Sequence, residues 1–256
     1  MQLNTVVHGT ASERPALLIA HGLFGSARNW GVIAKRLAGD RCVLAVDMRN
    51  HGASPFDDSH RYPDMAVDLA EVIAGHGAPM DVLGHSMGGK AAMWLALTRP
   101  ELVNRLVVAD IAPVAYGHSQ SHLIEAMRAL PIKNLANRAK AAERFSAMVD
   151  GPVVRAFLLQ SLDLQSRPPR WRLNLDALAR AMPEIIGWPD SSGAMPFEGR
   201  ALFLAGAMSD YVRSEHRALI RRLFPAARMA KLAGAGHWLH AEKPREFEQT
   251  LRAFLA

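Results

Sequence analysis

The sequence contains a single cysteine among its 256 residues, and long apolar runs are missing. Cys42 therefore has no intramolecular disulfide partner, and its position inside the apolar run CVLAVD indicates a buried thiol, which is compatible with a reducing compartment. No apolar stretch approaches the roughly 18 residues of a membrane-spanning helix, and the first ten residues, MQLNTVVHGT, lack the pattern of a signal peptide. We expect a cytoplasmic protein with no membrane span.

Basic clusters and metal-binding patterns are also scarce. The formal net charge is +6, but the arginines are scattered, with Arg221 and Arg222 as the densest spot, and no aromatic stacking motif accompanies them. This excludes nucleic acid as the expected partner. The eleven histidines show no paired spacing such as H-E-x-x-H, so no metal is expected. Half of the residues are apolar, which is enough for the core of one globular domain carrying an insertion.

Apolar runs of strand length alternate with helical patterns along much of the chain. The runs cover residues 16–20, 42–46, 80–84, 105–110, 201–206 and 227–232. Runs that are apolar without interruption are typical of strands buried on both faces, as in parallel sheets. The sequence therefore predicts an α/β fold with a mostly parallel central sheet flanked by helices.

The alternation stops between Pro113 and Phe197, where no clear strand is found. Helix-like stretches separated by prolines replace it, at about 119–130, 134–149, 152–162 and 173–186. We interpret 113–197 as a helical lid inserted into a core domain formed by 1–112 and 198–256. Such an insertion would lie over the strand ends, where open α/β sheets bind ligands.

A serine stands between two glycines at the joint of a predicted strand and a predicted helix, in the stretch MDVLGHSMGGKAAMWLAL of residues 80–97. Gly84-x-Ser86-x-Gly88 in that context is the pattern of a nucleophile elbow, a strained turn that projects the serine hydroxyl above the sheet. Bulky side chains in place of the glycines would collide with the neighbouring backbone. Ser86 is therefore the candidate nucleophile.

A serine needs a base, and His237 in LAGAGHWLH is the best candidate because a glycine-rich loop can bring its ring over the sheet. His21, His85 and His240 are the alternatives. The tetrahedral oxyanion needs two hydrogen-bond donors, for which we predict the backbone N–H groups of Met87, directly after the nucleophile, and of Leu23, in the loop HGLFGS. Composition and spacing thus indicate a serine hydrolase.

Five segments carry a resemblance to a known family: HGLFGS, VDMRNHGAS, GHSMGGKAAM, VVADIAPV and GAGHWLHAEKP. They resemble the α/β-hydrolase superfamily and, within it, the YbfF-type serine esterases, which are related to abhydrolase-domain proteins. The likeness runs over nearly the whole chain. It implies a Ser-His-acid enzyme that hydrolyses esters, including acyl thioesters, without a cofactor, and a lid that follows the family's sixth strand.

The acid of the triad has two candidates, Asp110 after the run RLVVAD and Asp210 after FLAGAMS. The superfamily often has G-x-x-D at the later strand, but here Gly206 plus three gives Ser209. A shift of one residue in extended backbone turns the side chain to the opposite face. The resemblance to the YbfF-type esterases implies Asp110, which we favour, with Asp210 as the alternative.

Apolar side chains around the lid predict a pocket for an acyl chain, with Phe24, Tyr116 and Trp238 as candidate substrate-binding residues. The expected partner is a small-molecule ester or thioester of short to medium chain length, possibly an acyl-CoA steered by basic lid residues. These are Arg128, Lys133 and Arg138. The same fold also serves lactonases, carbon–carbon bond hydrolases, cofactor-free perhydrolases and non-catalytic ligand-binding proteins, and the sequence allows either a monomer or a homodimer.

Overall fold

A computed structural model describes residues 1–135 and 137–256. In that part of the chain the strands, in chain order, are β1 (Thr5–His8), β2 (Leu17–Ala20), β3 (Val43–Val46), β4 (Met80–His85), β5 (Val103–Ala109), β6 (Leu162–Asp163), β7 (Arg170–Trp171), β8 (Arg200–Gly206) and β9 (Ala227–Leu232). Seven of them form one sheet in the order β1-β3-β2-β4-β5-β8-β9. Only β1 is antiparallel to its neighbour in this sheet; the other strand pairs are parallel. The predicted fold class is therefore confirmed.

The α-helices follow the strands and cover both faces of the sheet. They are α1 (Gly31–Leu37), α2 (Tyr62–His76), α3 (Met87–Thr98), α4 (Ser121–Ala129), α5 (Arg138–Phe145), α6 (Pro152–Leu159), α7 (Leu175–Arg180), α8 (Met182–Ile186), α9 (Arg217–Leu223), α10 (Leu239–Glu242) and α11 (Pro244–Phe254). Short 3-10 helices cover Ala27–Trp30, Pro100–Leu102, Ile132–Asn134 and Ser214–His216. Across residues 1–135 and 137–256, every helix is too short or too polar to span a bilayer.

Two apolar layers stabilise the sheet, one on each face. Alternate residues of a strand point to opposite faces, and β2 shows the result: Leu18 packs in the layer beneath α2 and α3, whereas Leu17 and Ile19 pack in the layer beneath α1 and α11. All four residues of β2 are fully buried. Burial on both faces explains why the central strands are mostly apolar. Asp81 of β4 is a buried exception, and it forms an ion pair with Arg41.

Strand register brings the candidate site together. In the sheet Ala20 pairs with Gly84, and Gly84 pairs with Val108. Because β2, β4 and β5 are parallel neighbours, the loops that follow their carboxyl ends all leave from one edge of the sheet. These loops hold the HGLFGS segment, the Ser86 turn and Asp110.

The six apolar runs predicted as strands are all strands in the sheet. The sequence did not reveal β1, an edge strand whose Val6 and Val7 are exposed. The expectation that 113–197 contains no strand is wrong in one detail, since the two-residue strands β6 and β7 pair there. Such short strands leave no periodic pattern in the sequence.

The predicted helical stretches in the insertion contain α4, α5, α6 and the pair α7 and α8. Position 136, within the predicted helix 134–149, lies outside the described residues. The strand before this insertion is β5, which ends next to Asp110. That this strand corresponds to the family's sixth strand stays a prediction. The interval between β5 and β8 is called the lid below; the exact domain boundaries at 112/113 and 197/198 stay a prediction.

Candidate active site

The turn between β4 and α3 holds Ser86 in a strained backbone conformation, with φ 52° and ψ −119°. A side chain at Gly84 would place its Cβ 2.2 Å from the carbonyl oxygen of Gly88. A Cβ at Gly88 would lie 2.5 Å from the carbonyl oxygens of Ala20 and His21. Real Cβ atoms do not approach backbone this closely, so both positions require glycine. The strained turn projects the serine hydroxyl from the strand end toward the lid.

A line of hydrogen bonds joins Ser86, His237 and Asp110. The His237 Nε2 atom lies 3.1 Å from Ser86 Oγ, and His237 Nδ1 lies 2.8 Å from Asp110 Oδ2. Asp110 is fully buried, while the His237 side chain is 24% exposed. The carboxylate can only accept, so it fixes the proton on Nδ1 and leaves Nε2 free to accept from the serine.

Two further donors hold the Asp110 carboxylate in place. Its Oδ1 atom accepts the backbone N–H of Gly206 at 2.9 Å, and its Oδ2 atom also accepts the Ser209 hydroxyl. The backbone of Asp110 is left-handed, with φ 51°. Asp210, by contrast, is exposed, and its backbone carbonyl accepts from Arg213. The structure therefore brings Asp110 to His237 and leaves Asp210 outside the hydrogen-bonded line.

The other candidate bases, His21, His85 and His240, are buried, and burial lowers the pKa of each ring. His85 is buried, and burial together with the nearby His237 holds its pKa well below the ordinary value, so its Nε2–H donates to the carbonyl of His237 at 2.8 Å. His240 stacks on Trp30 with ring centroids 4.1 Å apart, and burial lowers its pKa to about 3. His21 uses both ring nitrogens in backbone hydrogen bonds. Among the described residues, only His237 offers a ring nitrogen to Ser86.

The two residues predicted to supply the oxyanion donors line the same cavity as Ser86. Met87 begins α3, so its N–H is one of the unpaired donors of a helix N-terminus, where the helix dipole favours negative charge. Leu23 belongs to the loop after β2. The preceding residue, Gly22, lies against Ser86, because a Cβ at Gly22 would be 3.2 Å from Ser86 Cβ. Within the described part of the chain, neither N–H donates to a protein acceptor, and both residues line the cavity above Ser86.

A cavity of about 1670 Å³ lies between the core and the lid, with Ser86 and His237 in its wall. Its apolar lining from the core and lid includes Ile111, Leu123, Val154, Leu158, Met182 and Ile185. The predicted substrate-binding residues Phe24, Tyr116 and Trp238 also line it, and Trp238 contacts Phe157 of α6 with ring centroids 5.6 Å apart. The cavity exceeds the few hundred to roughly 1,000 Å³ of an ordinary small-molecule pocket. No group of three metal-ligating side chains occurs among the described residues.

Several residues of the site escaped the sequence interpretation. The ring of Tyr211 stacks on His237 with centroids 4.1 Å apart and an interplanar angle of 23°. The Lys90 ammonium is buried beside the cavity, donates to the carbonyls of Ile186 and Gly187, and has a pKa that burial lowers to about 7. A lysine inside the apolar run GGKAAMWLAL was a visible signal for this group. Nothing local in the sequence marks Tyr211.

Comparison with known proteins identifies the family of the chain. Residues 17–250 match the model of the alpha/beta hydrolase family. The mouse protein named sn-1-specific diacylglycerol lipase ABHD11 is 41% identical over 251 residues, covering 94% of this chain and 81% of that protein. Esterase YbfF of Escherichia coli K12 is 38% identical over 242 residues, covering 93% of this chain and 92% of that protein. A solved structure titled marine microorganism esterase superposes with a TM-score of 0.93 at 35% identity, covering 99% of each chain. The chain therefore belongs to the α/β-hydrolase family, as an enzyme of the esterase and lipase type.

Proposed function

We propose that Ser86, His237 and Asp110 are a catalytic triad that hydrolyses carboxylic esters and acyl thioesters through an acyl-enzyme. The observation that carries the proposal is the continuous line of hydrogen bonds from the buried Asp110 carboxylate through His237 to Ser86 Oγ, in the wall of an apolar cavity. A serine hydroxyl is a weak nucleophile by itself. The line of hydrogen bonds supplies the base and the group that orients the base.

The reaction proceeds in two halves. Ser86 Oγ attacks the acyl carbonyl while its proton passes to His237 Nε2, and the N–H groups of Leu23 and Met87 donate to the oxyanion. The tetrahedral intermediate then collapses, the bond to the leaving group breaks, and His237 gives its proton to the departing alcohol or thiol. Water repeats the attack on the acyl-enzyme with the same base, which releases the carboxylic acid and restores Ser86. Asp110 stabilises the imidazolium in both halves.

The apolar wall of the cavity favours an acyl chain, and the size of the cavity favours chains longer than acetyl. Relatives named esterase and diacylglycerol lipase support neutral esters as substrates. The lid cations give little support for acyl-CoA, because Arg128 already binds Glu125 and Asp176. Arg138 likewise donates to lid backbone carbonyls. We therefore place neutral esters of short to medium chain length first and acyl-CoA second.

The test is a chain-length series of p-nitrophenyl esters and acyl-CoA thioesters, measured for the wild type and Ser86→Ala. We expect ester turnover that disappears in Ser86→Ala, together with Ser86-dependent labelling by a fluorophosphonate probe. A steep fall of kcat/KM with salt for acyl-CoA, but not for a neutral ester, would mean that basic residues steer a phosphorylated substrate. Labelling without turnover would contradict the proposal and favour a ligand-binding protein. A Ser86-dependent preference for lactones, carbon–carbon substrates or perhydrolysis would favour another reaction of the fold.

A further inference from the structure

Phe24 follows the proposed oxyanion donor Leu23 and has an unusual backbone conformation. Its φ is 64°, in the left-handed region that a bulky residue adopts only when its surroundings hold it there. The residue is 3% exposed, so water does not satisfy its backbone groups. Leu23 is joined to Phe24 by one peptide bond, so relaxation of the Phe24 backbone would also shift Leu23 and its N–H. The groups that hold Phe24 are therefore placed to fix the position of the proposed oxyanion donor.

Both backbone polar groups of Phe24 bind side chains from distant parts of the chain. Its N–H donates to His51 Nε2 at 3.1 Å, and its carbonyl accepts the hydroxyl of Ser161 at 3.1 Å. The His51 Nδ1–H donates to the carbonyl of Arg49 at 2.9 Å, which fixes Nε2 as an acceptor. His51 is fully buried, and burial holds its pKa well below the ordinary value, which favours the neutral ring with Nε2 as an acceptor. Ser161 follows α6 and belongs to the lid.

The loop of His51 and the lid are themselves joined by backbone hydrogen bonds. The carbonyl of Ser161 accepts the N–H of Arg172 at 2.8 Å, and the carbonyl of Arg172 accepts the N–H of Gly52 at 2.8 Å. Gly52 is the neighbour of His51, and His51 also forms a bridge with Leu173. The hydrogen bonds therefore close a circuit that runs from Phe24 through the lid to the His51 loop and back to Phe24.

We infer that Ser161 and His51 are positioning residues, which hold Phe24 in its left-handed conformation so that the N–H of Leu23 faces the oxyanion. The lid would then act on the chemical step as well as forming the wall of the cavity. This inference rests on the proposed function, because it assigns a support to the oxyanion donor named there. An oxyanion donor acts only within about 2.7–3.1 Å of the developing charge, so a small displacement of the loop is costly.

The test compares Ser161→Ala, Ser161→Thr and Ser161→Val with Ser166→Ala. Thr and Val have nearly the same shape and differ in the hydroxyl. Ser166 is the matched control, since among residues 1–135 and 137–256 its hydroxyl bonds only to the carbonyls of Asp163 and Pro168 in the lid. The readouts are kcat and KM for p-nitrophenyl acetate, which is too small to depend on the lid wall, and the affinity for a short alkyl trifluoromethyl ketone. The serine oxygen adds to the carbonyl carbon of this ketone and forms a hemiketal oxyanion. The affinity for the ketone therefore reports on the oxyanion donors.

We expect Ser161→Ala and Ser161→Val to lower kcat about tenfold, a part of the hundred- to thousandfold loss that follows removal of an oxyanion donor. KM should change little, and the affinity for the ketone should fall by the same factor. Ser161→Thr and Ser166→Ala should stay near the wild type. If Ser161→Ala does not fold, the comparison of Ser161→Thr with Ser161→Val tests the role of the hydroxyl at nearly constant side-chain volume.

Unchanged kcat and ketone affinity in Ser161→Val, with altered KM for long-chain esters alone, would overturn the inference and leave Ser161 as part of the cavity wall. Equal losses in Ser161→Thr and Ser161→Val would overturn it as well, because the hydroxyl would then be irrelevant. Failure of the proposed function appears separately, as a wild type that turns over no ester. In that case the rate of fluorophosphonate labelling still reports on the oxyanion donors in each variant.

Discussion

Replacement of Asp110 by asparagine is the sharpest test of the proposed triad. The two carboxylate oxygens have different partners: Oδ1 accepts the N–H of Gly206 at 2.9 Å, and Oδ2 accepts from His237 Nδ1 at 2.8 Å and from the Ser209 hydroxyl. A backbone N–H can only donate, so the amide oxygen of the asparagine must take the Oδ1 position. The NH₂ group must then face His237.

An NH₂ group beside His237 reverses the tautomer of the ring. The Nδ1 atom now has to accept, so the ring proton moves to Nε2, which lies 3.1 Å from Ser86 Oγ. A protonated Nε2 cannot take the serine proton. Such wrong-tautomer variants lose about 10⁴-fold in kcat, which is about 5.5 kcal/mol of transition-state stabilisation at about 1.4 kcal/mol for each factor of ten. The fold should survive, because the amide has the shape of the carboxylate and the Ser209 hydroxyl can rotate to accept from it.

The assay measures kcat for p-nitrophenyl butyrate with the wild type, Asp110→Asn and Asp210→Asn, and thermal melting checks the fold of each. Asp210 is the matched control, an exposed aspartate at the neighbouring strand end. We expect Asp210→Asn to keep nearly full activity. A damaging Asp210→Asn beside a nearly silent Asp110→Asn would refute the assignment of the acid.

Other substitutions and conditions test the fold around the site. A methyl group at Gly88 would lie 2.5 Å from two backbone carbonyl oxygens. Gly88→Ala should therefore lower the free energy of unfolding by about 1–3 kcal/mol and reduce turnover. A Gly88→Ala variant that melts like the wild type would contradict this. Burial lowers the pKa of His60 and of His240 to about 3, whereas the unfolded rings titrate near 6.5. The unfolded chain therefore binds more protons than the folded chain below pH about 6.5. As the pH is lowered from 6.5 to 3, the free energy of unfolding, measured in urea, should fall by up to about 1.4 kcal/mol per pH unit for each ring. A free energy of unfolding that does not change with pH would contradict this. The Arg41 guanidinium binds the fully buried Asp81 carboxylate at 2.8 Å. Arg41→Met leaves that carboxylate without its ion-pair partner, so it should lower the free energy of unfolding in urea by about 3–5 kcal/mol. A decrease below about 1 kcal/mol would contradict a stabilising role for the pair.

The sequence predicts the central strands well because burial on both faces leaves a continuous apolar signature. β2 and β4 are buried at every residue; β2 appears as an apolar run, and the run of β4 is interrupted by the buried Asp81. β1 lies at the sheet edge with Val6 and Val7 exposed, so it lacks this signature. The lid strands β6 and β7 have only two residues each, which is shorter than any period that a pattern could reveal.

Local patterns are also sufficient to indicate the candidate nucleophile and the candidate base. Ser86 has its glycines within two positions, and His237 lies in a short glycine-rich loop, so each carries its structural context in the adjacent sequence. The circuit around Phe24 has no such signal. Its bond to Ser161 joins residues 137 positions apart, and its strength depends on how the lid is placed on the core. Contacts of this kind follow from tertiary packing, which a periodic pattern does not encode.

The choice of the acid shows where the order of strands ceases to be informative. β5 and β8 are parallel neighbours, so Asp110 and Asp210 both follow strand ends at the same edge of the sheet, and strand order favours neither. The direction of the side chain separates them. Asp110 turns inward through a left-handed backbone with its carboxylate fully buried, whereas Asp210 is exposed, one residue beyond Ser209. Ser209, the residue three positions after Gly206 where the resemblance led us to look for an acid, instead donates its hydroxyl to Asp110, the candidate acid of the neighbouring strand.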